Sequence, residues 1–543
     1  RWQALTDALQ RQAERGPLDL NAASYPAKWA CLERLTAAHA AHVLREAGLF
    51  QTAGERLTLA QVMERAGAAP TYAHLLRRWL DMLVAAGALR AEGEAFVAPA
   101  PLADPQLPAL WREAEALFAD NQPLLAYLRH CGDLVGPVIR GAESPLETLF
   151  PGGGFDLAEG LYERSATMRY INGLAASALA ALATGVPEGA RLRVLEVGAG
   201  TGGTTSALLP ALPGDRVQYL FSDVSDFFME RARTRFAAYP FMRYGLLDMD
   251  RDPAQQGYAP QSFDVIVSAN AVHASKDLRQ TLARLRALLA PGGVLLLVES
   301  TVHLPWFDMS TGLIEGWQHF ADDLRGDNPL LPPETWVQAL RDAGFDAAGA
   351  WPEAGSAAGV LGQHVVVARA PGDAAAAMAG DLPADTAAGV AASATDAAAD
   401  QAQALRERVA AALPDERADI LRDYVRDQVV RVLRLDPLQP PGRHDRLMDI
   451  GFDSLMAVQL RNRLGTGLGL DKPLPATLMF DHPTIDALGA YLLARLAPPA
   501  APVAATPREA APTPSTPVLG AAAVAAMSDA DIEALLLERL GKP

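Results

Sequence analysis

A chain of 543 residues, half of them hydrophobic and a fifth charged, has room for three or four domains of about 150 residues and is too apolar to be disordered throughout. Its net charge of −17 argues against a general nucleic-acid binder, which needs a basic face, and gives no electrostatic reason to sit on an anionic membrane. Its two cysteines, Cys31 and Cys131, are too few for a disulfide framework or a thiolate zinc site and fit a reducing, cytoplasmic setting; no apolar run approaches the ~20 residues of a membrane span.

The chain opens on Arg1 with no charged-then-apolar leader, and reads as a piece of a longer polypeptide. Residues 1–150 form a helical region, with helical periodicity from 27 on and few strand-like runs. Within it, LTLAQVMERAGAAPTYAHLLRRWLDMLVAAGALRAEGEAFV reads as helix, turn, helix and a small hairpin, the pattern of a winged-helix unit. In so acidic a chain a lid or packing role is expected of it rather than DNA contact. Beyond about residue 190, LRVLEVG, VQYLFSD, FDVIVSAN, GVLLLVES and QHVVVARA alternate with helical stretches. Continuous apolar strands between helices predict a mostly parallel, doubly wound α/β sheet, which binds ligands at the carboxyl ends of its strands. Residues 371–402 and the Pro/Ala-rich 498–524 read as linkers, because neither can bury enough surface to offset chain entropy. They bound a helical domain over 403–497 and a tail over 525–543.

The first strand of the α/β region runs into Glu196-Val197-Gly198-Ala199-Gly200-Thr201-Gly202-Gly203, where Gly198, Gly200 and Gly202 let the backbone turn tightly against a ligand. Gly198, Gly200 and Gly203 also satisfy GxGxxG, so a nicotinamide-dependent reductase is one reading. Three features favour S-adenosylmethionine instead. Glu196 stands where a carboxylate opposes a pyrophosphate and suits an ammonium and a sulfonium. Asp223 ends the second strand, where an acid binds ribose hydroxyls. Asp248 and Met249 follow a third strand-like run, where they can meet an adenine edge. Asn270, closing the fourth strand, completes this set of cofactor-binding candidates. No His, Cys or carboxylate cluster has metal-ligand spacing, so no metal is expected.

Taken in order, VLEVGAGTGGTTSALLPAL, LFSDVS, LLDMDRDPAQQGY, FDVIVSANAVHASKDL, LLAPGGVLLLVE and TGLIEGWQHF resemble the methyltransferase domains embedded in modular polyketide synthases. The resemblance covers 151–370 strongly and reaches more weakly into 1–150, the family's N-terminal lid region. It implies a Rossmann-like core that binds S-adenosylmethionine. It also implies a His–Glu catalytic pair: His273 follows the fourth strand and Glu315 lies beyond the fifth, both at the carboxyl edge of the sheet. The acidic α-carbon of a β-ketoacyl thioester gives such a pair its task, a neutral imidazole taking the proton while a carboxylate fixes its tautomer. Tyr162 and Tyr170, by the same resemblance, close over the cofactor or substrate; ordinary core packing is the other reading of both. His303, Trp306 and Phe307 are candidates for the wall of an acyl pocket.

In the 403–497 domain, LMDIGFDSLMAVQLRNRL sets Ser454 at the start of an amphipathic helix, in the run Gly451-Phe452-Asp453-Ser454-Leu455. A helix cap and a hydrolase nucleophile with His482 are other readings of this serine, but GFDSL is not G-x-S-x-G. The segment resembles the acyl carrier protein family, a small four-helix fold whose G-x-D-S-L serine bears 4′-phosphopantetheine. A phosphopantetheinyl transferase is then an expected partner, with upstream ketosynthase and acyltransferase components. The tail, MSDADIEALLLERLGKP, is a candidate amphipathic helix for docking a downstream synthase subunit. About 30 linker residues span an r.m.s. distance of ~30 Å, holding a tethered chain at millimolar effective concentration. These features together predict methylation of the α-carbon of a carrier-bound β-ketoacyl chain. O-methylation of a β-hydroxyl or enol is the chemical alternative, and a decayed methyltransferase kept as a spacer the non-catalytic one. The intact glycine loop, Asp223, His273 and Glu315 argue against decay.

Overall fold

The computed structural model describes residues 1–16, 20–317, 319–372, 394–433, 435, 440–450, 452, 454–470, 474–475 and 478–496. Outside the described residues lie 373–393 of the first expected linker, the second linker 498–524, the tail 525–543, Gly451 and Asp453, and the side chains of Glu315 and Ser454. Residues 1–493 form one compact unit; in the second, from 494 on, description ends at 496. No described helix is long and apolar enough to cross a membrane.

Two helices begin the chain, α1 (Trp2–Arg15) and α2 (Tyr25–Glu46). The expected helix-turn-helix-hairpin follows as β1 (Arg56–Thr58), α3 (Leu59–Ala66), α4 (Ala73–Ala85), β2 (Arg90–Glu92) and β3 (Ala95–Val97), the strands forming an antiparallel sheet in the order β1-β3-β2. A capping box starts α3: the Thr58 hydroxyl accepts from Gln61 N and the Gln61 side chain accepts from Thr58 N. Helix α4 buries Leu75, Leu76, Trp79, Leu80 and Leu83 along one stripe. Two further helices, α5 (Leu107–Leu117) and α6 (Gln122–Ile139), complete the helical region.

The core opens with α7 (Asp156–Glu159), a π-helical turn over Gly160–Arg164 and α8 (Ala166–Thr184). There follow β4 (Leu192–Val197), α9 (Gly203–Leu208), β5 (Val217–Asp223), α10 (Asp226–Arg235), β6 (Met242–Leu246), β7 (Phe263–Ala269), α11 (Leu278–Leu288), β8 (Leu289–Ser300), α12 (Pro333–Asp342), β9 (Ala347–Trp351) and β10 (Gln363–Arg369). The seven strands run β6-β5-β4-β7-β8-β10-β9. Strands β4 to β8 are parallel, and β10 is antiparallel to β8 and β9. Every residue of β4 and β5 is buried, as a strand covered on both faces requires. Alternate residues feed opposite layers. Val194 and Val267 pack with Leu174 and Leu179 of α8, whereas Leu195 and Ile266 pack with Leu282 of α11 and Leu340 of α12. Helix α1, expected with the lid, belongs to the core, because Leu5 and Leu9 join the α8 cluster. Strand order reverses between β4 and β7, which opens a crevice at their carboxyl ends.

The carrier region contains α13 (Ala394–Ala411), α14 (Pro414–Leu433), α15 (Ser454–Gly467), α16 (Leu478–Asp481) and α17 (Ile485–Leu496). Helix α13 begins inside the stretch expected as linker. Its alanines cost little to order in a helix, and Ala402 and Val409 are buried. The last four helices share a core that includes Leu421, Val425, Leu460, Leu464, Leu478 and Leu488.

One buried ion pair anchors the sheet opposite its ligand edge. Asp264 of β7 accepts from Arg193 of β4 at N (2.9 Å), Nε (3.1 Å) and Nη2 (3.0 Å). Removing one partner strands a buried charge. Asp264→Ala is expected to lower the unfolding free energy by about 3–5 kcal/mol, and an apolar Arg193→Met/Asp264→Leu pair to recover most of it. Urea denaturation followed by tryptophan fluorescence measures both; an Asp264→Ala midpoint equal to wild type contradicts the assignment.

Candidate active site

The crevice is built from the ends of five parallel strands. After β4 the chain turns through Gly198 (φ 65°), Gly200 (φ 54°) and Gly202 (φ 77°), a region of backbone space that favours glycine. A Cβ on Gly198 would lie 2.6 Å from the Ala271 methyl, so only glycine lets this loop reach the turn after β7. Asp223, the last residue of β5, is buried and braces the loop: Oδ2 accepts from Gly200 N (2.9 Å) and Oδ1 from Ser225 N (3.1 Å). Burial pushes its carboxyl up to about 6 against the loop hydrogen bonds that lower it.

Glu196 corrects an expectation. Its Oε2 accepts from the Thr205 hydroxyl (2.7 Å) and the Tyr219 hydroxyl (2.7 Å), so it ties α9 to β5 beneath the loop. Burial raises it to about 7. Asp248 follows β6 in a tight turn, its Oδ1 accepting from Asp250 N (2.9 Å), and the Met249 side chain reaches the space beside Gly198. Asn270, at φ 49°, accepts from Ser300 N (3.0 Å) and Oγ (3.2 Å) and lines the cavity.

His273 sits on a short turn, Val272–Ala274, held from behind by Arg325, whose Nη1 donates to His273 O (2.6 Å) and Nη2 to Ser275 O (2.7 Å). The imidazole is 5 % exposed and its Nδ1 lies 2.6 Å from Oε2 of Glu299, which is 0 % exposed. Glu299 is the penultimate residue of β8, the strand beside β7. With Nδ1 engaged, Nε2 is the nitrogen left to meet a substrate. The ring lines a cavity of about 210 Å³ whose other walls include Tyr162, Met168, Trp306, Phe307 and Trp317. The far wall is fastened to the helical region: Arg78 of α4 forks onto Asp308 (2.9 and 2.8 Å), Trp79 Nε1 donates to Asp308 O (3.0 Å) and the Tyr72 hydroxyl to Leu313 O (2.9 Å). The winged-helix-like unit thus packs against the wall of the cavity.

Two family models match: a methyltransferase domain over residues 195–295 and a phosphopantetheine attachment site over 423–492. The CurJ carbon methyltransferase superposes with a TM-score of 0.64 at 32 % identity, covering 68 % of this chain and 98 % of that one. The DszA carbon methyltransferase does so with a TM-score of 0.60 at 29 % identity, covering 67 % and 96 %. The polyketide synthase ThaG of Burkholderia thailandensis is 34 % identical over 405 residues, 72 % of this chain. The chain belongs to the carbon methyltransferases of polyketide synthases. It spans 7 % of ThaG, and 19 % of the pyochelin synthetase PchF of Pseudomonas aeruginosa, which is 34 % identical over 63 % of the chain.

The cofactors of this carbon methyltransferase and its carrier domain are S-adenosylmethionine and 4′-phosphopantetheine. The crevice fits the first. Asp223, at the end of β5 beside the loop, suits ribose hydroxyls, and with Glu196 buried beneath the loop the two acids oppose a pyrophosphate. Asp223, Met249 and Asn270 stand where they would hold the nucleoside and methionyl parts. Among the described residues no group of three or more His, Cys, Asp or Glu is arranged to hold a metal.

The expected catalytic pair is revised. Glu299 occupies Nδ1 of His273, the position expected for Glu315, whose side chain lies outside the described residues. The signal was available: Glu299 is the one acid in the apolar run GVLLLVES, at the edge where ligands bind. Tyr162 lines the cavity, and burial raises its hydroxyl to about 12. Tyr170 does not line it; its hydroxyl donates to Ala13 O (3.1 Å) and its ring packs between α8 and α1. Trp306 and Phe307 are walls, while His303 stands behind them, Nε2 3.2 Å from Asp308 Oδ1. Arg325 and Asp308 gave no sequence signal, because the partners that matter to the site, the carbonyls of His273 and Ser275 and the side chain of Arg78, lie far away in the chain.

The raised Asp223 carboxyl sets a pH dependence. A ligand hydroxyl on Asp223 would favour its charged form, so its pKa would fall from about 6 on binding and a proton would be released. Affinity for S-adenosylhomocysteine is expected to rise roughly fourfold from about pH 5.5 to 7.5. Calorimetry in two buffers of different ionisation heat measures the affinity and the protons; a flat profile with no proton release contradicts it.

Proposed function

We propose that this chain methylates the α-carbon of a β-ketoacyl chain held as a thioester on the phosphopantetheine arm of its own carrier domain. The observation that carries the reading is the buried His273–Glu299 contact of 2.6 Å at the wall of an aromatic cavity beside the glycine loop. Bound S-adenosylmethionine supplies a methyl group on a sulfonium, already activated for displacement. What the protein must add is a carbon nucleophile.

His273 serves as the base. Glu299 accepts the Nδ1 proton, so Nε2 carries the lone pair and can take a proton from the α-carbon between the keto and thioester carbonyls. The imidazolium that forms is stabilised at once by the carboxylate on its other side. Arg325 holds the turn from outside through main-chain carbonyls, which fixes the ring without lending it charge. Trp306, Phe307 and Trp317 exclude water that would reprotonate the enolate. Ser454, at the start of α15, is the attachment point, loaded by a phosphopantetheinyl transferase. Ketosynthase and acyltransferase components upstream would provide the chain, and a downstream subunit would receive it.

Carbon rather than oxygen methylation rests on the carbon methyltransferases that this chain resembles and on a base aimed at an acidic carbon. The test is product NMR after reaction of the loaded chain with a ¹³C-methyl donor. The expected result is one labelled methyl coupled to the α-proton; a methyl on oxygen overturns the reading. His273→Ala is expected to slow turnover by ~10²–10⁴-fold and Glu299→Gln by ~10²-fold, both with donor affinity kept. Glu315→Gln alongside them decides between the two carboxylates: a loss there matching His273→Ala, with Glu299→Gln at the wild-type rate, contradicts the pairing.

A further inference from the structure

The carrier helix and the methyltransferase meet through a buried contact of mixed character. Arg461 of α15 is buried and its Nη1 donates to Oε1 of Glu147 (2.8 Å), itself buried. Glu147 is held ready for that contact: its Oε2 accepts from Gly152 N (2.8 Å), and its main-chain oxygen lies 2.8 Å from His130 Nε2. One turn earlier on α15, Val458 is 4 % exposed within the apolar cluster that contains Leu146, Leu149, Phe150 and Phe228. A Cβ on Gly153 would stand 3.0 Å from the Asn462 side-chain oxygen, so this glycine permits the close approach. At the rim, Arg463 Nη1 lies 3.5 Å from Glu230. Two carrier arginines thus face two methyltransferase glutamates.

The dock is also linked to the cavity lining through packed rings and a short stretch of chain. Phe150 packs on Phe155 (ring centroids 5.3 Å) and Phe228 (5.8 Å), and Phe155 stacks on Phe227 (5.2 Å). From Phe155 the chain runs through α7 into the π-helical turn, where Leu161 and Tyr162 line the cavity. On the carrier, Ser454 opens the helix, with Val458 four and Arg461 seven residues on, the spacing of one helical stripe.

We propose that this surface is the methyltransferase's recognition site for its substrate-bearing carrier, with Arg461 the residue that selects it. The occupant is the carrier domain of this chain. An exposed arginine–glutamate pair would contribute little, but this one is desolvated. A carrier without a cation seven residues after its attachment serine would bury Glu147 with no counter-charge on Oε1, a penalty that rejects the wrong carrier rather than tightening the right one. The inference rests on the proposed methylation of carrier-bound cargo, and its test separates the two.

The full chain, phosphopantetheinylated and charged with a 3-oxoacyl group, is mixed with donor, and methylation is followed in a single turnover by mass. A diffusible 3-oxoacyl N-acetylcysteamine thioester is the second substrate. Arg461→Ala, Val458→Asp and Glu147→Gln are each expected to slow methylation of the tethered chain at least about tenfold, while methylation of the diffusible thioester stays within about twofold of wild type. Complete phosphopantetheinylation of Ser454 in the two carrier variants establishes that the carrier is folded. Wild-type rates on tethered cargo in all three overturn the docking site, and so does an equal loss on both substrates, which marks a structural role. If wild type methylates neither substrate, it is the proposed function that fails.

Discussion

The proposed reaction needs a proton held in one place, and Glu299 is the group placed to hold it. A carboxylate with no exposure and an imidazole almost as buried lie 2.6 Å apart, where neither is easily paired with anything else. Separating such a pair is costly in a low dielectric, so the tautomer of His273 is set by the fold rather than by solvent. Much of the surrounding structure serves that contact. Parallel pairing of β7 and β8 brings the His273 turn beside the end of β8. Arg325 fastens the turn by its carbonyls, and the edge of Trp317 closes on the ring at 5.8 Å.

The helical region gains its meaning from the same site. In this winged-helix-like unit α4 sets Arg78 and Trp79 on Asp308, next to Phe307 of the cavity wall. The cavity is thus bounded by distant parts of the sequence, among them the helical region, the π-helical turn near Tyr162, the turn after β7 and the loop after β8. The proposed dock for α15 lies on the segment just before the π-helical turn, around Glu147 and Gly153. Under that proposal one stretch of chain, 147–162, would serve both delivery and chemistry.

Much of this was legible in the sequence, for reasons that separate by range. The strands of the core read clearly because both faces are covered, which makes their apolar runs continuous. The places of the glycine loop, Asp223 and His273 at strand ends were legible, because local pattern fixes them. The carrier domain read from five consecutive residues. What failed were inferences about direction. Glu196 has the right position but turns its carboxylate to Thr205 and Tyr219. Tyr170 is eight residues from Tyr162 but on the next helix, and it faces α1, because α1 packs on the core and not on the lid. Glu315 was expected beside His273 from the family resemblance alone, and Glu299, an acid at the end of an apolar strand, was not considered. Burial singles Glu299 out: a carboxylate kept inside a core needs a partner, and His273 is the partner.

The claim that His273, poised by Glu299, removes the α-proton is tested most directly without any methyl transfer. The loaded chain, carrying a 3-oxoacyl group and bound to S-adenosylhomocysteine, is transferred into D₂O, and deuterium entering the α-position is timed by mass spectrometry. Wild type should exchange at least ~10²-fold faster than His273→Ala, with Glu299→Gln slowed in the same direction. Exchange at the same rate in wild type and His273→Ala would show that the imidazole is not the base.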